Sequence, residues 1–227
     1  MVFLGGFMSD MNGTKAVALE DWARATGRGF LRFDYSGHGE SDGAFADGTI
    51  GDWAKDARAA ILALTEGKQV LVGSSMGGWI SAILSGQIPE KIAGIVGIAS
   101  APDFTEDSMW AGFSDAQRAE LMENGQILLP SDYDAPYTIT RRLIEDGRAH
   151  LVLRKPLPMR FPVRLLQGAA DRDVELSVAQ RLFEHIDGDD VRLTIVKGAD
   201  HRFSSPSCLR LIQQSVEEVL DLSGGAG

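Results

Sequence analysis

Six short apolar runs, Val2 to Leu4, Gly29 to Phe33, Val70 to Val72, Ile92 to Ile98, Val163 to Leu166 and Leu193 to Val196, alternate along the chain with longer segments of helical period. Runs that are apolar without alternation suit strands buried on both faces. The helical segments carry their own end signals. Ala16 to Ala25 stops before Gly27, Asp52 to Leu64 follows Thr49 and stops before Gly67, and Met76 to Ser85 stops at Gly86; Ser177 to Ile186 and Cys208 to Leu222 complete the set. Strand and helix in strict succession require a mostly parallel sheet with right-handed crossovers and helices on both faces, an α/β fold of about six strands.

One interval breaks the rhythm. Ala101 to Arg160 separates the fourth and fifth strands by far more than a crossover needs. We therefore expect residues 1–100 and 161–227 to form the core and 101–160 a helical cap. Inside the cap, Ser114 with Gln117 reads as a capping box, Thr138 to Arg148 as a second helix, and Lys155-Pro-Leu-Pro158 as a stiff return to the sheet.

Charge and composition remove several function classes. A net charge of −10, with no basic stripe carrying interleaved aromatics, argues against nucleic acid as a partner. No run approaches the roughly 18 to 20 apolar residues of a membrane span, and no secretory leader is evident at Met1; the reading is a cytoplasmic protein. Cys208 is the single cysteine, so neither an internal disulfide nor a thiolate metal centre is expected.

The chemistry points to one stretch, Gln69-Val-Leu-Val-Gly-Ser-Ser-Met-Gly-Gly-Trp79. Its Gly-x-Ser-x-Gly core closes a β-branched run and opens an apolar helix, the strand-turn-helix setting of a nucleophile elbow that exposes Ser75. A serine hydroxyl needs a base and an orienting acid. His201 follows the sixth strand in Lys197-Gly-Ala-Asp-His201, and Asp171 follows the fifth in Gly168-Ala-Ala-Asp171. Asp103, after the fourth strand, is the reserve acid; Asp173 reads as a helix-start residue, and Asp200 as pointing away from a tight loop. His38, His150 and His185 read as surface or satisfied polar residues. The backbone N–H groups of Phe7 and Met76 are the candidate oxyanion donors. Met8, Met109, Trp110 and Phe113 are candidate walls for an apolar acyl group, with cap packing as the alternative for each.

Phe3-Leu-Gly-Gly-Phe-Met-Ser-Asp-Met-Asn-Gly-Thr-Lys15, Arg32-Phe-Asp-Tyr-Ser-Gly-His-Gly-Glu-Ser41, Val72-Gly-Ser-Ser-Met-Gly-Gly-Trp79, Arg164-Leu-Leu-Gln-Gly168 and Asp200-His-Arg202 together resemble the α/β-hydrolase superfamily. Within it they resemble the branch of the mitochondrial palmitoyl-protein thioesterase and acyl-glucuronide esterase. The resemblance implies hydrolysis of activated acyl esters or acyl thioesters by a Ser75, Asp171, His201 triad with no metal and no cofactor. The substrate would be a small acyl ester or thioester, or an acylated protein. A carbon–carbon bond hydrolase with the same triad and a non-catalytic binding protein are the alternatives. The resemblance implies a strand pair ahead of the strand at Val2; without one in the sequence given, the Gly29 to Phe33 strand is expected at an exposed edge, where it could pair with another chain.

Overall fold

The computed structural model describes residues 1–129 and 137–224. Its centre is a six-stranded, wholly parallel sheet built from β1 (Val2–Leu4), β2 (Leu31–Arg32), β3 (Gln69–Ser74), β4 (Ile92–Ile98), β8 (Val163–Gly168) and β10 (Val191–Val196), in the order β10-β8-β4-β3-β1-β2. Between the first four strands lie α1 (Thr14–Ala25), α2 (Ile50–Leu64) and α3 (Met76–Gln87). The chain leaves β1 to one side for β2 and returns to its other side for β3. This reversal puts a crevice at the carboxyl ends of β1 and β3, where α/β sheets characteristically place their sites.

Both faces of the sheet are apolar because the residues alternate between two cores. Leu71 of β3 and Ile95 of β4 pack in one core with Trp53, Ala57 and Ile61 of α2 and Trp79, Ile80 and Leu84 of α3. Val70, Val72, Val96 and Ile98 pack in the other with Leu19 of α1 and with Ile212, Val216 and Val219 of α7 (Pro206–Gly224). Helix α3 is buried without interruption from Met76 to Ser85, which explains why its sequence is apolar on every face. On β8, the 4% exposed Arg164 guanidinium pairs with Asp190 before β10 and with Glu218 of α7, tying sheet to helix.

The stretch between β4 and β8 holds a helical segment with a π turn at Thr105–Trp110, then α4 (Asp115–Asn124), a hairpin of β5 (Gln126–Leu129) and β6 (Tyr137–Thr140), α5 (Arg141–Ala149) and the short β7 (Leu157–Pro158). Ser114 and Gln117 form a complete reciprocal capping box on α4. Two expectations change. Residues 138–140, expected as the first turn of a helix, belong instead to the strand β6, whose pairing with β5 supplies the backbone partners; Thr140 caps α5. The strand read as Gly29 to Phe33 pairs only over Leu31–Arg32, because β1 offers a short partner edge. After β8 come α6 (Leu176–His185) and β9 (Ile186–Asp187), which pairs with β7.

Candidate active site

The turn from β3 into α3 is shaped by contacts that allow no side chain. A Cβ on Gly77 would stand 2.0 Å from the Leu4 carbonyl oxygen, and one on Gly73 2.4 Å from the Gly77 oxygen. The tight approach of α3 to β1 leaves Ser75 at the apex with φ +53° and ψ −116°. That conformation is costly for a residue with a Cβ and persists only where surroundings over-determine it. Here the Ser75 N–H donates to Ile98 O at 2.9 Å, while Ser75 O accepts from Gly78 N at 2.9 Å and Ala101 N at 3.0 Å.

Two further loops at the same rim meet the hydroxyl. The His201 Nε2 lies 3.2 Å from Ser75 Oγ, and its Nδ1 lies 2.9 Å from Asp171 Oδ2. The His201 loop is anchored immediately after the histidine, by the Lys15 Nζ donating to Arg202 O at 2.5 Å and by the fully buried Phe203 at φ +49°. The Asp171 side chain is fully buried. Its Oδ1 accepts from Asp173 N and Val174 N, both at 2.9 Å, and its Oδ2 accepts from Gln167 Nε2 at 3.0 Å as well as from His201. Burial pushes the Asp171 carboxyl up, but the bonds from His201, Val174 and Asp173 outweigh it and hold it below its ordinary value. An ionised Asp171 facing Nδ1 places the imidazole proton there, so Nε2 is free to accept from Ser75 Oγ.

The other acid candidates are engaged elsewhere. Asp103 accepts from Val152 N (2.8 Å), Leu153 N (2.9 Å) and Arg154 Nη1 (3.1 Å), all on the return from α5 to β7. Asp200 turns into its own loop to accept from Phe203 N at 3.1 Å. Asp173 contributes its backbone N–H to Asp171, and one ligand atom each from its carboxylate, the Asp171 carboxylate and the His201 imidazole fall within 4.8 Å of one another. A cation there would have to compete with the four hydrogen bonds Asp171 already accepts.

The turn leaving β1 runs beside Ser75: a Cβ on Gly6 would lie 3.5 Å from Ser75 Cβ. The Phe7 ring packs edge-on against Phe45 (4.9 Å between centroids) and Phe104 (5.5 Å). Met76, first residue of α3, presents one of the amides that helix geometry leaves without an intrahelical acceptor. Two residues outside the proposed triad, Asp34 and His38, hold this turn. Asp34 accepts from Met11 N (2.7 Å) and Glu40 N (3.0 Å), stapling the loop after β1 to the Gly37–Gly39 turn. His38 Nε2 accepts from Met8 N at 3.3 Å, with Nδ1 3.3 Å from Ser36 O; burial lowers its pKa and keeps the ring neutral, as an acceptor must be. His150 and His185 bond the carbonyls of Asp146 and Arg181, each one helical turn back.

Of the proposed walls, Met8 is 44% exposed at φ +53°, and Met109 is half-buried against the core. Phe113 is buried beneath Trp110, whose ring carries the Arg148 guanidinium at 4.6 Å and that of Arg118 at 5.4 Å.

A family described as the alpha/beta hydrolase fold matches residues 1–151. The mitochondrial palmitoyl-protein thioesterase of Rattus norvegicus is 35% identical over 97% of this chain and 75% of its own length. A crystal structure from Agrobacterium vitis S4 superposes with a TM-score of 0.93 at 44% identity, covering 96% of this chain and 86% of the other. The alpha/beta hydrolase domain-containing protein 10 from mouse gives 0.89 at 34%, covering 97% and 88%. The mitochondrial relatives overturn the cytoplasmic placement. That placement rested on lacking a span and a leader, and neither distinguishes cytoplasm from an organelle interior. Among the described residues no helix is long and apolar enough to cross a membrane.

Proposed function

Because the chain belongs to the α/β hydrolase fold family, we propose that it is a serine hydrolase of carboxylic esters or acyl thioesters acting through an acyl-enzyme on Ser75. The observation that carries this reading is the hydrogen-bonded line from Asp171 through His201 to Ser75, assembled from three separate loops at one rim of the sheet. As Ser75 Oγ attacks the acyl carbonyl, His201 Nε2 takes its proton, and the buried carboxylate of Asp171 stabilises the imidazolium and holds its tautomer. The N–H groups of Phe7 and Met76 receive the developing oxyanion, with the positive end of α3 adding to the field. The protonated imidazole then donates to the departing alcohol or thiol. Water deprotonated by His201 attacks the acyl-enzyme, the proton returns to Ser75 Oγ, and the carboxylic acid leaves.

In this reading residues 101–160 are the cap over the site and residues 1–100 with 161–227 the catalytic core. Met8, Met109 and Trp110 line the acyl side, and Phe113 supports Trp110 from below. Similarity to palmitoyl-protein thioesterases favours an acyl thioester, small or protein-borne, over a carbon–carbon substrate. Ser75→Ala should lower turnover of p-nitrophenyl acyl esters by at least about a thousandfold and abolish fluorophosphonate labelling; turnover at the parent rate would refute the assignment. A matched panel of thioesters and oxyesters then ranks the leaving groups.

A further inference from the structure

The last two positions of β8 are Gln167 and Gly168, and the Gln167 side chain is fully buried. Its Nε2 lies 3.0 Å from Asp171 Oδ2, 3.0 Å from Val174 O and 3.5 Å from Gly168 O. Each of these neighbours is an acceptor, so the amide can face them only with its NH2 group, and two hydrogens meet the two nearest acceptors. The opposite end of the amide is unmet. Gln167 Oε1 is buried and has no hydrogen-bond partner among the described residues. An orphaned acceptor in a sheet interior is a cost that Leu or Met would not carry.

We infer that Gln167 is a positioning residue for the reaction: it clamps Asp171 Oδ2, the oxygen that orients His201, and pins that oxygen to the Val174 carbonyl across the turn. The inference rests on the Ser75–His201–Asp171 reading. The clamp has two consequences. It fixes the carboxylate rotation about its Cβ–Cγ bond, since Oδ1 is held by Val174 and Asp173 amides and Oδ2 by Gln167 and His201. It also draws charge from Oδ2, moderating the basicity that Asp171 induces in the imidazole. The charged or titratable groups facing this oxygen are His201 and, beside it, Asp173.

The test compares two replacements in the full chain. Gln167→Met keeps the volume and removes the donor. Its kcat should fall about tenfold with KM within twofold of the parent, the expected result of losing one charge-assisted hydrogen bond to a positioning group. Gln167→Glu keeps the shape and can share one proton with Asp171. While the proton is held, its single O–H donates to Asp171 Oδ2 in place of the amide; once it is lost, two carboxylates face each other at hydrogen-bond distance. Activity of Gln167→Glu should therefore show a new alkaline limb that neither the parent nor Gln167→Met shows. Parent-level kcat in Gln167→Met overturns the inference. So does a loss in Gln167→Met without the new limb in Gln167→Glu, which would make the residue one of packing. If Gln167→Met does not fold, the limb in Gln167→Glu decides alone. Failure of the underlying triad reading has a different signature, parent-level turnover in Ser75→Ala.

Discussion

Asp103 and Asp171 form a natural pair for comparison. Each follows a parallel strand at the same end of the sheet, each has a fully buried side chain, and each accepts two backbone N–H bonds. Their remaining partners separate them. Asp171 faces the His201 imidazole and the Gln167 amide, whereas Asp103 faces Arg154, which also bridges to Asp107 of the π turn. The backbone differs too: Asp103 sits at φ +59°. Their carboxyls shift in opposite directions. Burial raises Asp103, more than the Val152 and Leu153 amides and Arg154 lower it; at Asp171 the balance is reversed. Equal depth below the surface therefore leaves two aspartates with opposite shifts; the side chains that each carboxylate faces make the difference. One region of the rim joins Asp171 to His201 and Ser75, the proton path proposed above; the other is a clasp holding the return from α5 against the π turn.

The comparison breaks most sharply at Asp171. Asp171→Asn should lower kcat about a thousandfold or more while the fold persists, because the amide presents a donor to Nδ1 and favours the wrong tautomer. Should Asp171→Asn keep parent kcat and Asp103→Asn lose it, the two roles are exchanged. Next in size is Asp103→Ala, which strands the Val152 and Leu153 amides in a buried site; urea unfolding should show a loss of about 2 to 3 kcal/mol, with KM rising and kcat little changed. Arg154→Met removes only the partly exposed arm of the clasp, and screening reduces the expected loss to about 1 kcal/mol in the same assay. The smallest effect is on pH. A carboxyl whose folded pKa lies below its unfolded one stabilises the fold above the ordinary carboxylate range and loses that contribution as pH falls through its folded value. The stability gap between parent and Asp171→Asn should accordingly shrink below about pH 4. A gap that widens there would contradict the direction assigned to Asp171.

Much of the fold was legible because its signals are local. The six apolar runs locate the six strands of the sheet, and Ser114 with Gln117 announced the start of α4, since a capping box is complete within four residues. Local signals failed where pairing decides. Tyr137–Thr140 became a strand through its partner Gln126–Leu129, a choice helical periodicity does not contain. The site was legible in parts: Gly73, Ser75 and Gly77 betray a forced turn, but Gln167, Asp34 and His38 stood only inside family-like motifs, and nothing in residue order says that they reach Asp171, Met11 and Met8.

From residue order alone came the α/β class, the elbow at Ser75 and a short roster of acids and bases at strand ends, because strand period, helix caps and glycine-bound turns are written within a few consecutive residues. Which acid meets His201, what Asp103 holds instead, and why a buried glutamine at position 167 points its NH2 at a carboxylate were decided only by tertiary structure. Hydrogen bonds reach about 3 Å, and the one between His201 and Ser75 joins residues 126 positions apart in the chain.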